Sequence, residues 1–182
     1  MEGVALADWR ELLMMRILRV VTILRLDTIL RTRRPTYLFT DYFKGLEKSK
    51  AVRNIFGRKT EEVLRNLRVE FTWVRSYMWV NGTNGHLTVS AHYMNNGDKI
   101  DIYLDLIHEL VHVKQFMEGK ELFDSRYNYI DRPTEIEAYQ HAVEEAKNLG
   151  LNDEEICRYL KTEWMSNDDF KRLAKALNIN CK

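Results

Sequence analysis

Ile107-His108-Glu109-Leu110-Val111-His112-Val113 sits inside an apolar, helix-compatible segment that runs to Phe116, and its spacing organises the rest of the chain. On a helix, His108 and His112 project from one face, one turn apart. Two neutral imidazoles at that spacing can bind one Zn²⁺, and Glu109 beside them can take a proton from water at the metal. Leu106, Ile107, Leu110, Val111, Val113 and Phe116 give such a helix a buried back that stiffens the metal-binding face. The competing reading is a core helix whose two histidines are satisfied by hydrogen bonds.

A chain of 182 residues suits one domain with at most a small appendage, and 45% apolar with 30% charged residues describes a globular protein. The net charge is +1, unevenly spread: residues 1–75 hold 16 Lys/Arg against 9 Asp/Glu, and residues 76–182 hold 12 against 18. Basic residues are scattered rather than clustered. They therefore read as a solvated face, and a nucleic-acid partner is not favoured. Cys157 and Cys181 lie far from the histidine pair and lack metal-type spacing, which points to a reducing, cytoplasmic setting without a disulfide framework. Residues 1–34 form an apolar leader interrupted by Arg10, Arg16, Arg19, Arg25 and Arg31, expected as one or two packed helices. No stretch there reaches the ~20 apolar residues that span a bilayer, nor does it look like a secretory signal. Residues 35–182 are then the main domain.

After Pro35 the spacing predicts short helices, one from Leu46 to Phe56 closed by Gly57 and another opened by Thr60 as N-cap. The pattern changes at Val69–Arg75, which alternates and is aromatic and β-branched. The turn cluster Asn81–Gly85 leads into a second expected strand, His86–Tyr93. Asn95-Asn96-Gly97-Asp98 turns the chain again, and Lys99–Leu104 alternates as a third strand would. The expected architecture is α+β: a small antiparallel meander running into the histidine helix, about Leu104 to Met117, which stops at Gly119. Residues 119–131 read as a loop. Pro133 opens a helix to about Leu149. Asn152–Glu155 carries a capping-box pattern, and Ser166–Asp169 starts a last helix.

A catalytic zinc site needs three protein ligands and an open position. Glu135, Glu137 and His141 all fall on the Pro133 helix, and the helical wheel separates them. Ala138, Tyr139, Ala142, Ala146 and Leu149 mark its inward face, which Glu135 shares. Glu137 and His141 lie opposite. An inward carboxylate is costly without a partner, and a metal is a good one. Glu135 is thus the expected third ligand, with Glu137 the fallback.

His108-Glu109-Leu110-Val111-His112, followed 23 residues later by Glu135-Ile136-Glu137-Ala138-Tyr139, resembles the gluzincin metallopeptidases. Its glutamate helix looks like that of the HtpX-type and ImmA/IrrE-type peptidases, and its size is similar to the minigluzincins. The resemblance spans roughly residues 69–149. It implies a zincin-like fold, Zn²⁺ held by His108, His112 and Glu135, Glu109 as general base and acid, and a peptide substrate paired to the last strand before the active helix. The chain departs from many relatives in one place: the position four after the ligand glutamate, often Asp or Asn supporting a ligand histidine, is Tyr139. Tyr127, Tyr129, Arg126 and His141 are candidates for transition-state stabilisation. Two other classes compete: a zinc-stabilised binding module without catalysis, its metal closed by a residue such as His141 or Tyr139, and a nucleic-acid-associated regulator docking through its basic first 75 residues.

Overall fold

The computed structural model describes residues 36–181. The leader helices expected over residues 1–34 lie outside the described residues. From the start of the described chain, β1 (Tyr37–Leu38) leads into three short helices, α1 (Phe39–Tyr42), α2 (Lys50–Phe56) and α3 (Thr60–Asn66). The expected helix over 46–56 is thus split: Leu46–Lys48 is a single 3-10 turn, and Ser49, extended, separates it from α2. Thr60 is the first residue of α3 rather than its N-cap, and its hydroxyl donates to the Gly57 carbonyl at 2.7 Å.

Three further strands follow, β2 (Arg68–Thr72), β3 (Met78–Val80) and β4 (Leu87–Ser90). The expected antiparallel meander is not what they form. The sheet is mixed, with order β1-β2-β4-β3. β2 and β4 run parallel, with Phe71 opposite Val89, and β3 pairs antiparallel to β4 on the outside. The Asn81–Gly85 turn is present, but it joins β3 to β4. Asn81 and Asn84 side chains accept from the Thr83 and His86 amides at 2.9 Å, and Gly85 has φ +71°. A Cβ on Gly85 would stand 2.5 Å from the Phe116 ring, so strand turn and histidine helix meet there only because the side chain is missing.

The third expected strand, residues 99–104, is instead the first turns of a helix. The Asp98 carboxylate accepts from the Ile100 and Asp101 amides at 2.8 and 3.2 Å, an N-cap that commits the chain to helix. The preceding Ala91–Asn96 is also helical (α4), opened by Ser90, so the strand expected to reach Tyr93 ends at Ser90. The histidine helix α5 therefore runs Lys99–Met117 and is buried on almost every side. That explains why its sequence shows an apolar run instead of one stripe.

α5 is the axis of the domain. It packs against α2, against β3, and along α6 (Pro133–Asn148). The last helices are α7 (Asp153–Leu160), with the expected capping box of Asn152 and Glu155, and α8 (Asn167–Ala176), capped by Ser166. Cys157 on α7 and Cys181 beyond α8 are joined by a disulfide, with Cα atoms 5.6 Å apart. This corrects the expectation that the chain has no disulfide framework, and with it the cysteine-based argument for a reducing compartment. No helix among the described residues is long and apolar enough to cross a membrane.

Candidate metal centre

α5 and α6 bring together three of the residues singled out in the sequence. His108 and His112 point their Nε2 atoms toward one another at 2.9 Å. Glu135, in the first turn of α6, places Oε2 3.3 Å from His108 Nε2 and 3.4 Å from His112 Nε2. All three side chains are buried. Donor atoms of a tetrahedral ion held at ~2.05 Å stand about 3.3 Å apart, so this triangle has the size of three tetrahedral ligand positions. Glu109 adjoins the same histidines: ligand atoms of His108, Glu109 and His112 all lie within 4.8 Å of one another. This buried His-Glu-His group can hold a metal ion, and Glu135 adds a second carboxylate against it.

The two carboxylates are differently engaged. Glu135 Oε2 has no well-aligned hydrogen bond although it faces both imidazoles closely. Glu109 accepts from the Val80 backbone N–H, and its Oε2 has no partner. Buried polar atoms without partners are costly, and a cation answers that cost for acceptors clustered like these. The residues present therefore fit a metal ion.

Electrostatics follow from burial and the close charges. Burial alone raises a carboxylate, but the hydrogen bonds and charges of His108 and His112 outweigh it at Glu135 and hold that group well below the usual range. Burial likewise opposes charge on His112. There, hydrogen bonding to Glu135, the Glu109 and Glu135 charges, and Gln115 carry the imidazole up to about 9. Burial and the neighbouring His112 charge keep His108 low despite Glu135. Glu109 is pushed up to about 8, first by burial and then by the acidic neighbours Glu135 and Asp105.

A cleft of about 620 Å³ opens beside this group, lined in part by His108, Glu109, Tyr129, Tyr139, Asp105 and Trp164. A smaller one of about 90 Å³ adjoins it, with Val80, His112, Phe123 and Glu135 in its wall. Met78, Trp79, Tyr129 and Glu109 line both, so the two hollows meet at these residues. β3 is an outer strand of the sheet there. Ser90 N–H bonds to Tyr77 O, and Asn81 N–H to His86 O. In an antiparallel ladder the alternate residues, Met78 and Val80, then direct their backbone groups away from the sheet. The Val80 amide reaches Glu109 by that route. The outer edge of the sheet beside the site therefore belongs to β3, not to the strand immediately preceding α5.

The remaining candidates separate clearly. Glu137, the fallback ligand, faces away from the histidines: its Oε2 accepts from Gln115 Nε2 and Lys120 Nζ at 2.9 and 2.8 Å. Arg126 is committed to Asp124, Tyr127 is exposed, and His141 lines neither hollow. Tyr129 is the one candidate stabiliser brought to the cleft, hydrogen-bonded to Tyr139. Tyr139 lays its ring edge-on to His108, with centroids 4.4 Å apart. Two contributors escaped the reading of the sequence. Asp105 accepts from Tyr93 and Tyr159 at 2.6 and 3.0 Å, and Gln115 accepts from His112 Nδ1 at 2.7 Å. Both were signalled by a polar side chain inside an otherwise apolar helix. No family model, curated protein or solved structure matches the chain.

Proposed function

We propose that this is a zinc-dependent metallopeptidase, with His108, His112 and Glu135 as ligands and Glu109 as general base. The observation that carries the reading is the set of three buried donor atoms separated by 2.9, 3.3 and 3.4 Å, with a second carboxylate, Glu109, adjoining and a cleft beside it. Glu135 is chosen over Glu109 as third ligand because its oxygen faces both Nε2 atoms, whereas the Glu109 carboxylate leans to the Val80 amide. The resemblance to gluzincins supports the same assignment.

Zinc in such a site supplies Lewis acidity, drawing the pKa of a bound water toward ~7 and polarising a carbonyl. The chain's own residues do the rest. Glu109 accepts the proton of the attacking water and passes it to the leaving amine. Its carboxyl, pushed up by burial to about 8, is drawn down by a divalent cation beside it, which leaves it ionised for that task at neutral pH. Tyr129 stands between the two hollows, where its hydroxyl can donate to a developing oxyanion. Met78, which lines both hollows, turns its backbone groups from the sheet, so an extended peptide entering there would bind through main-chain bonds, with the hollows taking flanking side chains.

The decisive experiment compares wild type and Glu109→Gln at equal zinc occupancy on unstructured peptides. The variant should keep the metal and the fold but lose about 10²–10⁴-fold in cleavage rate. Equal activity in both proteins removes Glu109 from the mechanism. Absence of cleavage in wild type across a broad peptide library favours a zinc-stabilised binding module.

A further inference from the structure

Gln115 is fully buried and sits three residues after His112 on α5. Its Nε2 donates at 2.9 Å to two groups that can only accept, the Thr134 carbonyl and the Glu137 carboxylate. That fixes the orientation of the amide. Oε1 must then face His112 Nδ1, at 2.7 Å, and since an amide oxygen only accepts, Nδ1 carries the proton. In the neutral imidazole this leaves the lone pair on Nε2, the atom turned toward Glu135 and His108. The same amide also grips the backbone carrying the third ligand, because the Thr134 carbonyl belongs to the peptide that leads into Glu135. Glu137 anchors the far end: its Oε2 takes Lys120 Nζ at 2.8 Å, and its Oε1 lies 3.9 Å from Lys114 Nζ.

We propose that Gln115 is the positioning residue of the metal centre: one buried amide sets the His112 tautomer and the spacing between His112 and Glu135. This rests on the metal reading of the site. It also gives Glu137 a role that the sequence did not suggest, as the anchor of the relay Lys120–Glu137–Gln115–His112. Tyr139 leaves His108 without such support: His108 Nδ1 has no hydrogen-bond partner, so orientation of the pair falls to the His112 side. Any side chain that keeps the volume of Gln115 but lacks its amide preserves the packing and loses both controls.

The test is zinc affinity, by competition with a chelating chromophore, for wild type, Gln115→Met and Glu137→Ala. Outer partners of ligand histidines typically contribute 10–100-fold in metal affinity, and Gln115→Met should lose that much. Glu137→Ala frees one end of the amide but leaves the Thr134 bond, and should lose less than tenfold. A signature that packing alone does not move is the nitrogen NMR of His112 in the zinc-loaded protein. Wild type should show metal on Nε2 with a protonated Nδ1, and Gln115→Met should show a broadened or mixed pattern. Wild type with zinc on Nδ1, or a Gln115→Met protein that binds within twofold of wild type, overturns the inference and leaves the metal site standing. A wild type that takes up no zinc overturns the metal reading and the inference together.

Discussion

Zinc uptake and stability should respond to pH in opposite directions, and the reason lies in the 2.9 Å contact between two imidazole nitrogens. Such a contact needs a proton between the rings, and Glu135, Glu109 and Gln115, which carry His112 up to about 9 against the opposing effect of burial, favour its place on His112. A histidine whose folded pKa exceeds its unfolded value of ~6.5 stabilises the fold fully below 6.5, and that contribution disappears as pH rises through 9. Over that window the metal-free protein should lose up to about 3 kcal/mol, at 1.36 kcal/mol per unit. Glu109 acts in the same direction. Its carboxyl, raised by burial from 4.5 to about 8, is forced to ionise in a buried site as pH climbs, and stability falls between those values. Zinc needs His112 Nε2 free, so binding releases the proton and becomes easier over the same interval. Glu109 gives up its proton as well when a cation draws it down, so apparent affinity should rise about a hundredfold per pH unit from 6.5 to 8 and about tenfold from 8 to 9. The assay pairs chelator competition, corrected for the chelator's own titration, with thermal melts of metal-free and zinc-loaded protein at each pH. The gap between the two melting curves should widen as pH rises. An affinity that stays flat from pH 7 to 8.5, or a metal-free protein that gains stability there, would refute the shared-proton account.

Two further outcomes follow from single contacts. Glu135→Ala should weaken zinc retention at least 100-fold, beyond the range of outer-partner effects, while Glu137→Ala stays below tenfold. Competition titrations that reverse that order would return the ligand role to Glu137. Reduction of the Cys157–Cys181 bond, or Cys181→Ser, should cost about 3.5 kcal/mol, the loop-closure entropy for a separation of 24 residues. Chemical denaturation with and without reductant measures it, and coincident curves would mean that the bond does not constrain the unfolded chain.

The candidate site was legible because its geometry is local. Two histidines four apart on a helix meet whatever the rest of the chain does, and Glu135 was selected by a helical wheel that Pro133 had already positioned. The sheet was misread where local signals are shared between structures. Gly97 and Asp98 look like a strand turn, yet the same residues end α4 and cap α5. Ile100, Ile102 and Leu104 alternate as a strand does. The run continues through Leu106, Ile107 and Leu110, and only burial on all sides makes helix the better outcome, because a helix satisfies its backbone without neighbours. The parallel pairing of β2 with β4 was hidden for another reason. β3 lies between them in sequence but outside them in space, and its three residues carry no period of their own. The disulfide was equally out of reach, since two cysteines 24 residues apart have no spacing that implies pairing until α7 and α8 fold back together.

The mixed topology moves the outer edge of the sheet without displacing the cluster of His108, His112 and Glu135. With residues 99–104 in the helix, the preceding strand β4 is enclosed between β2 and β3 and has no free backbone to offer. β3 takes the outer place, and its Val80 amide already contacts Glu109. Glu109, the proposed general base, is thus tied to the strand that a peptide substrate would extend. On the proposed peptidase reading, pairing at Met78 would place a peptide alongside Glu109, against the two hollows that both residues line. Trp79, exposed and lining both hollows, alternates with Met78 and Val80 and faces β4 with its backbone, so on the same reading its substitution should change side-chain selection while leaving the outer backbone groups of β3 in place.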